Sequence, residues 1–190
     1  MKKNVITALL FVLLLVSLHA QNTADNVADF ILSTYSTKSF IDTPIQAADL
    51  EKILMCGIRA PSARNTQLWK FTVVRDIALE RKIISNITEG NILIIVSGSE
   101  KSEPGVDISF DCALATQNMY LAAQGLGLGA HIYTGPVENI NKNLKATLKI
   151  PEGYKAIAVL RIGNKDSRVD ATTAASKRKG YSEIVNESTK

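Results

Sequence analysis

Apolar positions recur with helical spacing near the start of the chain, where Val27, Phe30, Ile31 and Tyr35 share one face of a helix predicted over residues 25–35. A second helix is predicted over 47–60, with Leu50, Ile53, Leu54, Gly57 and Ile58 on one stripe and Pro61 as its stop. Between them, residues 37–43 read as extended or irregular and end at Pro44. The pattern then changes period. Residues 68–75 (LWKFTVVR) are β-branched and aromatic and predict a strand. Residues 91–97 (NILIIVS) are apolar without a break and lie between Gly90 and Gly98, the signature of a strand covered on both faces. Residues 77–87 predict a helix, and so do residues 138–148. Residues 107–124 predict a long Ala-rich helix, apolar nearly all round and therefore central. Short strands follow at 130–133 and at 156–162 (AIAVLRI), and the tail from Asn164 is polar until Ile184 and Val185. Strands interleaved with helices, without a repeat or a linker, predict one domain of α+β or α/β class around one sheet.

The first twenty residues stand apart. Met1, Lys2 and Lys3 are followed by an almost purely apolar run of 14 residues, 5–18, then Ala20 and a polar stretch opening at Gln21. This is the order of a secretory signal peptide. The run is shorter than the ~20 residues a helix needs to cross a bilayer, so no stable span is expected after cleavage, although an uncleaved N-terminal anchor is the competing reading. The expected organisation is a signal peptide over 1–20 and a single domain over 21–190 with a C-terminal arm over 164–190. The expected location is the periplasm.

Cleavage would take 20 of the 190 residues and two of the 22 basic side chains, leaving 170 residues with 20 basic against 18 acidic groups. A net charge of +2 is no electrostatic case for nucleic acid. The run from Lys177 to Lys179 is either a solvated tail or a grip for one phosphate. His19 leaves with the signal peptide, so His131 is the sole remaining imidazole, and no G-x-S-x-G elbow accompanies it. A nucleophilic triad is therefore not expected, and His131 is assigned a structural place at a strand end. Cys56 and Cys112 lie in apolar helical contexts that suit small hydrophobes; whether they pair cannot be read from spacing. No metal-ligand spacing is present. Gly125 to Gly129 (GLGLG) closes a helix and leads into a strand, opposite to the order of a dinucleotide fingerprint, so a helix C-cap is expected there. No catalytic side chain emerges, and an enzyme of this composition needs a cofactor to carry its chemistry. The same absence fits a binding or structural interaction module.

Three segments together resemble one family. Residues 35–40 (YSTKSF) resemble an opening motif R-x-S-x-R/K-x-F. Residues 60–71 (APSARNTQLWKF) resemble A-P-S-x-x-N-x-Q-P-W-x-F, and residues 111–129 resemble D-x-x-x-A-x-Q-N-x-x-L-A-A-x-x-L-G-L-G. Residues 150–154 (IPEGY) before a strand and Gly163 add a fourth point. The chain is thus similar, from about Phe30 to Val185, to the nitroreductases, FMN-dependent NAD(P)H oxidoreductases.

The resemblance implies a mainly antiparallel central sheet, a long buried helix, helices on both faces and an intertwined homodimer. It implies FMN as cofactor, NADH or NADPH as donor and a nitroaromatic, quinone or related small molecule as oxidant. Ser36 matches the hydroxyl that bonds the ribityl-phosphate, and Lys38 the cation at the N1/O2 edge of the ring. Pro61, Ser62, Ala63 and Asn65 match the loop that covers the flavin from the partner subunit. Thr134 and Gly135 match the turn whose backbone approaches N5, and Lys177 and Arg178 the basic tail that clamps the phosphate. Thr34 stands where the opening motif has its first Arg, Leu68 replaces the Pro of Q-P-W, and the stretch between Ser97 and Asp107 is short. An exported flavin-binding or scavenging protein on the same fold, without NAD(P)H-dependent activity, is the alternative.

Overall fold

The computed structural model describes residues 26–170 and 175–188, so the signal peptide expected over 1–20 lies outside the described residues. The chain divides into two compact units, Met1–Thr34 and Tyr35–Lys190. The described part of the first is a helix over residues 26–33 (α1), closed by the Thr34 hydroxyl, which donates to the Ile31 carbonyl at 2.8 Å.

The second unit is built on four strands: β1 (Trp69–Val74), β2 (Ile92–Ser99), β3 (Gly129–Tyr133) and β4 (Tyr154–Gly163). They pair in the order β1-β2-β4-β3, antiparallel throughout. A register shift between Val96 and Ser97 marks a bulge against β4. The unbroken apolar run of β2 is explained by two cores. Ile92, Ile94 and Val96 join Leu160 and Ile162 on one face, beneath α2 (Ala47–Ile58) and α4 (Ile108–Gly125). Leu93 and Ile95 join Val159 on the other, against α3 (Ile77–Ile83) and the segment around Ile140 to Ile150. Alternation persists, but both sides are apolar because both are covered.

Local chemistry sets the helix boundaries. The Asp76 carboxylate caps α3 by accepting the Leu79 N–H at 2.7 Å, and Asp107 caps α4 through Ser109 and Phe110 at 2.9 and 3.1 Å. The helix predicted to Ile87 ends at Ile83, because Ile84 turns extended and the chain then buries both Ile84 and Ile87. The helix predicted over 138–148 is only α5 (Val137–Asn139), followed by a wider π-type turn over Ile140–Leu144. There Asn141 leaves helical use of its side chain for the sheet, accepting the Ala156 N–H and donating to the Ala156 carbonyl at 2.8 and 3.0 Å. The helix expected to be central is buried along one stripe, from Ile108 through Cys112, Ala115 and Met119 to Ala123, while Phe110, Ala113 and Gln117 are exposed. Its near-uniform hydrophobicity therefore includes a second, uncovered side. Among the described residues no helix is long and apolar enough to cross a membrane.

One carboxyl side chain is buried beside the second core. Glu80 is 1% exposed and has a carboxylate oxygen without a hydrogen-bond partner among the described residues. Burial pushes its carboxyl up to about 7, against the opposing pull of the Leu93 N–H and the Arg161 charge. The folded protein thus holds a proton on Glu80 that the unfolded chain releases near pH 4.5. Stability is lost as pH rises from that value through about 7, by up to about 3 kcal/mol. Glu80→Gln should remove this loss. Denaturant unfolding of both proteins at pH 5 and pH 8 should show the variant's advantage growing with pH.

Candidate functional site

Residues 35–41 run as an extended segment across one end of the sheet. Tyr35 and Thr37 turn inward while Ser36 and Lys38 are exposed, an alternation that puts the hydroxyl and the ammonium on one side. The segment is fastened along its length. The Tyr35 N–H donates to Gln124 at 3.2 Å and its hydroxyl to the Asp170 carbonyl at 2.9 Å. Burial pushes the Tyr35 phenol above its ordinary range, reinforced by the negative charge of Asp170. The Thr37 N–H donates to the Ala130 carbonyl at 3.0 Å, and the Ala130 N–H returns to the Thr37 hydroxyl at 3.2 Å. The Ile41 N–H donates to the Asn164 carbonyl, and Phe40 bridges to Lys165.

Glycine makes the seat. Gly129 on β3 and Gly163 on β4 are register partners. A Cβ on Gly129 would stand 2.6 Å from Thr37 Cγ2, and one on Gly163 would stand 2.5 Å from Asn91 Nδ2 and 2.9 Å from the Phe40 ring. Only a bare backbone pair lets the segment lie this close. The GLGLG run therefore serves two ends: Gly127, with φ of 81°, turns the chain out of α4, while Gly129 floors the site segment. Beside the seat, the buried Arg161 guanidinium lies 4.0 Å from the Phe40 ring centroid and donates to Asn91 at 2.7 Å and Thr88 at 3.1 Å.

Thr134 and Gly135 follow β3 directly and are exposed. A Cβ on Gly135 would meet nothing within 4 Å, so this turn borders open space. Ser36 and Lys38 are thus tied through Thr37 to the start of β3, and Thr134 and Gly135 follow the end of the same strand.

The second cluster lies elsewhere. Pro61 is exposed, and the loop turns through Ala63–Asn65 with Arg64, Asn65 and Gln67 all at positive φ, between 49° and 56°. Three non-glycine residues in this region constitute stored backbone strain. Local bonds hold them: the Gln67 N–H donates to the Ser62 hydroxyl at 3.1 Å, the Gln67 amide to Asn65 Oδ1 at 3.1 Å, and the Thr66 hydroxyl to the Ala63 carbonyl at 3.0 Å. Both oxygens of the buried Asp111 accept the Ala63 N–H, at 3.1 and 3.2 Å. Asp111 opens α4 and Gln124 closes it, so the loop and the site segment are fastened about 20 Å apart along the helix axis.

Lys177 and Arg178 are exposed on the arm ahead of α6 (Tyr181–Ile184). Thr34 belongs to the first unit. Both cysteines are free thiols; Cys56 is exposed, and burial beside Asp111 pushes the Cys112 thiol up to about 12. His131, Asp111 and Asp170 are the residues that organise these segments. Asp111 carried a signal within the third motif, whereas Asp170 is one of several acids in a polar tail and carried none.

An antiparallel sheet covered on both faces, with polar loops at two ends of one long helix, defines an α+β protein of a recognisable kind. The nitroreductase family profile matches residues 31–101 and 86–164. An Archaeoglobus fulgidus protein named "Putative NADH dehydrogenase/NAD(P)H nitroreductase" is 36% identical over 143 residues, covering 70% of this chain and 82% of that one. A Desulfovibrio desulfuricans structure described as a "putative nitroreductase in complex with fmn" superposes with a TM-score of 0.73 at 25% identity, covering 86% of this chain and 96% of that one. A Bacteroides fragilis nitroreductase with bound FMN has the same fold, with a TM-score of 0.68 at 22% identity over 86% of this chain and 98% of that one. The chain belongs to the nitroreductase family.

Asp111→Ala would orphan the Ala63 N–H and release the strained loop. Urea unfolding should show a loss of about 1–3 kcal/mol. Trypsin should cleave after the exposed Arg64 faster than in the wild type.

Proposed function

We propose that the chain is an FMN-dependent oxidoreductase that takes electrons from NADH or NADPH and delivers them to a nitroaromatic, a quinone or a related small oxidant. Family membership over residues 31–164 carries this proposal. FMN is named in the descriptions of the Desulfovibrio and Bacteroides structures, and an NAD(P)H activity in the name of the Archaeoglobus relative. The residues fit such a cofactor. Ser36 and Lys38 offer a hydroxyl and a cation on one side of a fastened segment, and Gly135 borders space that no side chain fills. When bound, FMN supplies the two-electron chemistry that no side chain here provides. Lys38 contributes positive charge where negative charge develops on reduction, and Ser36 bonds the phosphate-bearing tail. The Gly135 backbone permits close approach of the ring. Lys177 and Arg178 hold the phosphate, for which the guanidinium fork is suited.

The working form is a homodimer. The loop with Pro61, Ser62, Ala63 and Asn65 is fastened at Asp111, about 20 Å of helix from Gln124, which holds Tyr35 at the start of the segment carrying Lys38, and this separation favours a loop and a segment from different copies meeting at one flavin. A second copy supplies that loop. An apolar cavity of about 640 Å³ between α2 and α4, lined by Ala48, Met55, Cys56, Ala122 and Leu126, offers surface for the partner. The order of Lys2, Lys3, the apolar run and Ala20 supports export to the periplasm, and N-terminal sequencing of the exported chain should begin at Gln21.

The purified protein should show flavin absorbance between about 350 and 500 nm, bleached by NADH or NADPH. Lys38→Ala should raise the FMN dissociation constant about tenfold or slow the bleaching to a comparable degree. Thr34, in place of the motif's first Arg, favours a second reading: an exported flavin-binding protein without this activity, which would bind FMN but leave its spectrum unchanged by either donor.

A further inference from the structure

We infer that His131 and Asp170 are positioning residues that clamp one peptide unit, the one joining Thr37 to Lys38, and so aim the Lys38 cation. The carbonyl of that unit faces Nδ1 of His131 at 2.7 Å. A carbonyl only accepts, so Nδ1 carries the hydrogen. The amide of the same unit, the Lys38 N–H, donates to Oδ2 of Asp170, and the next amide, Ser39, donates to the same oxygen at 2.8 Å. A peptide unit is a rigid plate. Gripped at its oxygen by a donor and at its nitrogen by a carboxylate, it cannot rotate about the chain, and the direction in which the Lys38 side chain leaves the backbone is set. The two bonds polarise the plate in the same sense, so each strengthens the other. Asp170 is 5% exposed, which keeps its charge-assisted bonds out of competition with water.

The gripping groups are themselves held. The His131 ring stacks on Tyr133 with centroids 4.4 Å apart and planes 23° apart. Asp170 is anchored through its own carbonyl, which accepts the Tyr35 hydroxyl at 2.9 Å, and its N–H, which donates to the Asp166 carbonyl at 2.9 Å. His131 lies on β3 directly before the Thr134–Gly135 turn, and Asp170 lies between β4 and the arm that carries Lys177 and Arg178. The clamp therefore joins three segments of the proposed flavin site at one peptide. For the flavin itself the inference rests on the proposed function.

The test uses Asp170→Ala, Asp170→Asn and His131→Phe, each alone and with Lys38→Ala, in the full-length mature protein. Asp170→Ala should raise the FMN dissociation constant about tenfold, the cost of losing charge-assisted bonds. It should also lower the midpoint potential of the flavin that remains bound, because a displaced cation stabilises the reduced ring less. Asp170→Asn keeps an oxygen acceptor and should recover much of the loss, while His131→Phe keeps the stack but not the donor and should weaken binding. On the Lys38→Ala background, Asp170→Ala should add less than about twofold, since its effect runs through Lys38. Full multiplication of the two effects, or a wild-type potential in Asp170→Ala, would overturn the inference. Amide hydrogen exchange on flavin-free protein gives an independent readout. The Lys38 and Ser39 amides should be protected in the wild type and lose protection in Asp170→Ala while β4 amides keep theirs. If the wild type takes up no FMN, the oxidoreductase proposal fails and exchange alone decides the clamp: fast exchange at Lys38 and Ser39 in the wild type sinks it.

Discussion

The pairing of β2 with β4 is the constraint on which the other features depend. Both strands are covered on two faces, so their backbone polar groups have no recourse to water and must bond to each other. That pairing fixes which side chains enter each core, since a slip of one residue would exchange Ile94 for Ile95 across the sheet. It also fixes where Arg161 and Gly163 emerge at the end of β4, and through β3 it sets Gly129 and His131 beside them. The site segment finds its seat because the sheet presents two glycines in register at one end. Function here depends on a flat place in a backbone before it depends on any reactive group.

Much of this was legible in the sequence, for identifiable reasons. The strand over 91–97 could be read because an unbroken apolar run between glycines has few other uses, and two cores account for it. The break near Ile84 could not, because Ile83, Ile84 and Ile87 continue an apolar pattern that a helix would also show; tertiary burial decided it. Likewise 138–148 carries helical spacing, but the bond between Asn141 and the β4 backbone pulls that segment off a regular path. Motif order pointed to Ser36, Lys38 and the loop at Pro61, and the structure shows what holds them in place. Asp170 was invisible because its partners are backbone amides 131 and 132 residues away, and nothing in composition signals such a bond.

The strained loop and the seated segment use opposite strategies for the same end. Around Arg64 the chain accepts unfavourable dihedrals and holds them with side-chain bonds to Ser62, Asn65 and Asp111. Around Lys38 the dihedrals are ordinary and the rigidity comes from outside, from β3 and from the stretch after β4. The loop ties up its own Ser62 and Asn65 side chains in this way, whereas the seated segment leaves Ser36 and Lys38 free by having other residues do the fastening.

The length of α4 has a consequence of its own. Because one end of the helix holds the loop and the other holds the segment, the helix is a calliper. One residue added within it would lengthen the gap by about 1.5 Å and swing one end by about 100° relative to the other. The surface stretches between elements can drift in length over evolutionary time, whereas this helix is expected to keep its residue count even where its side chains change.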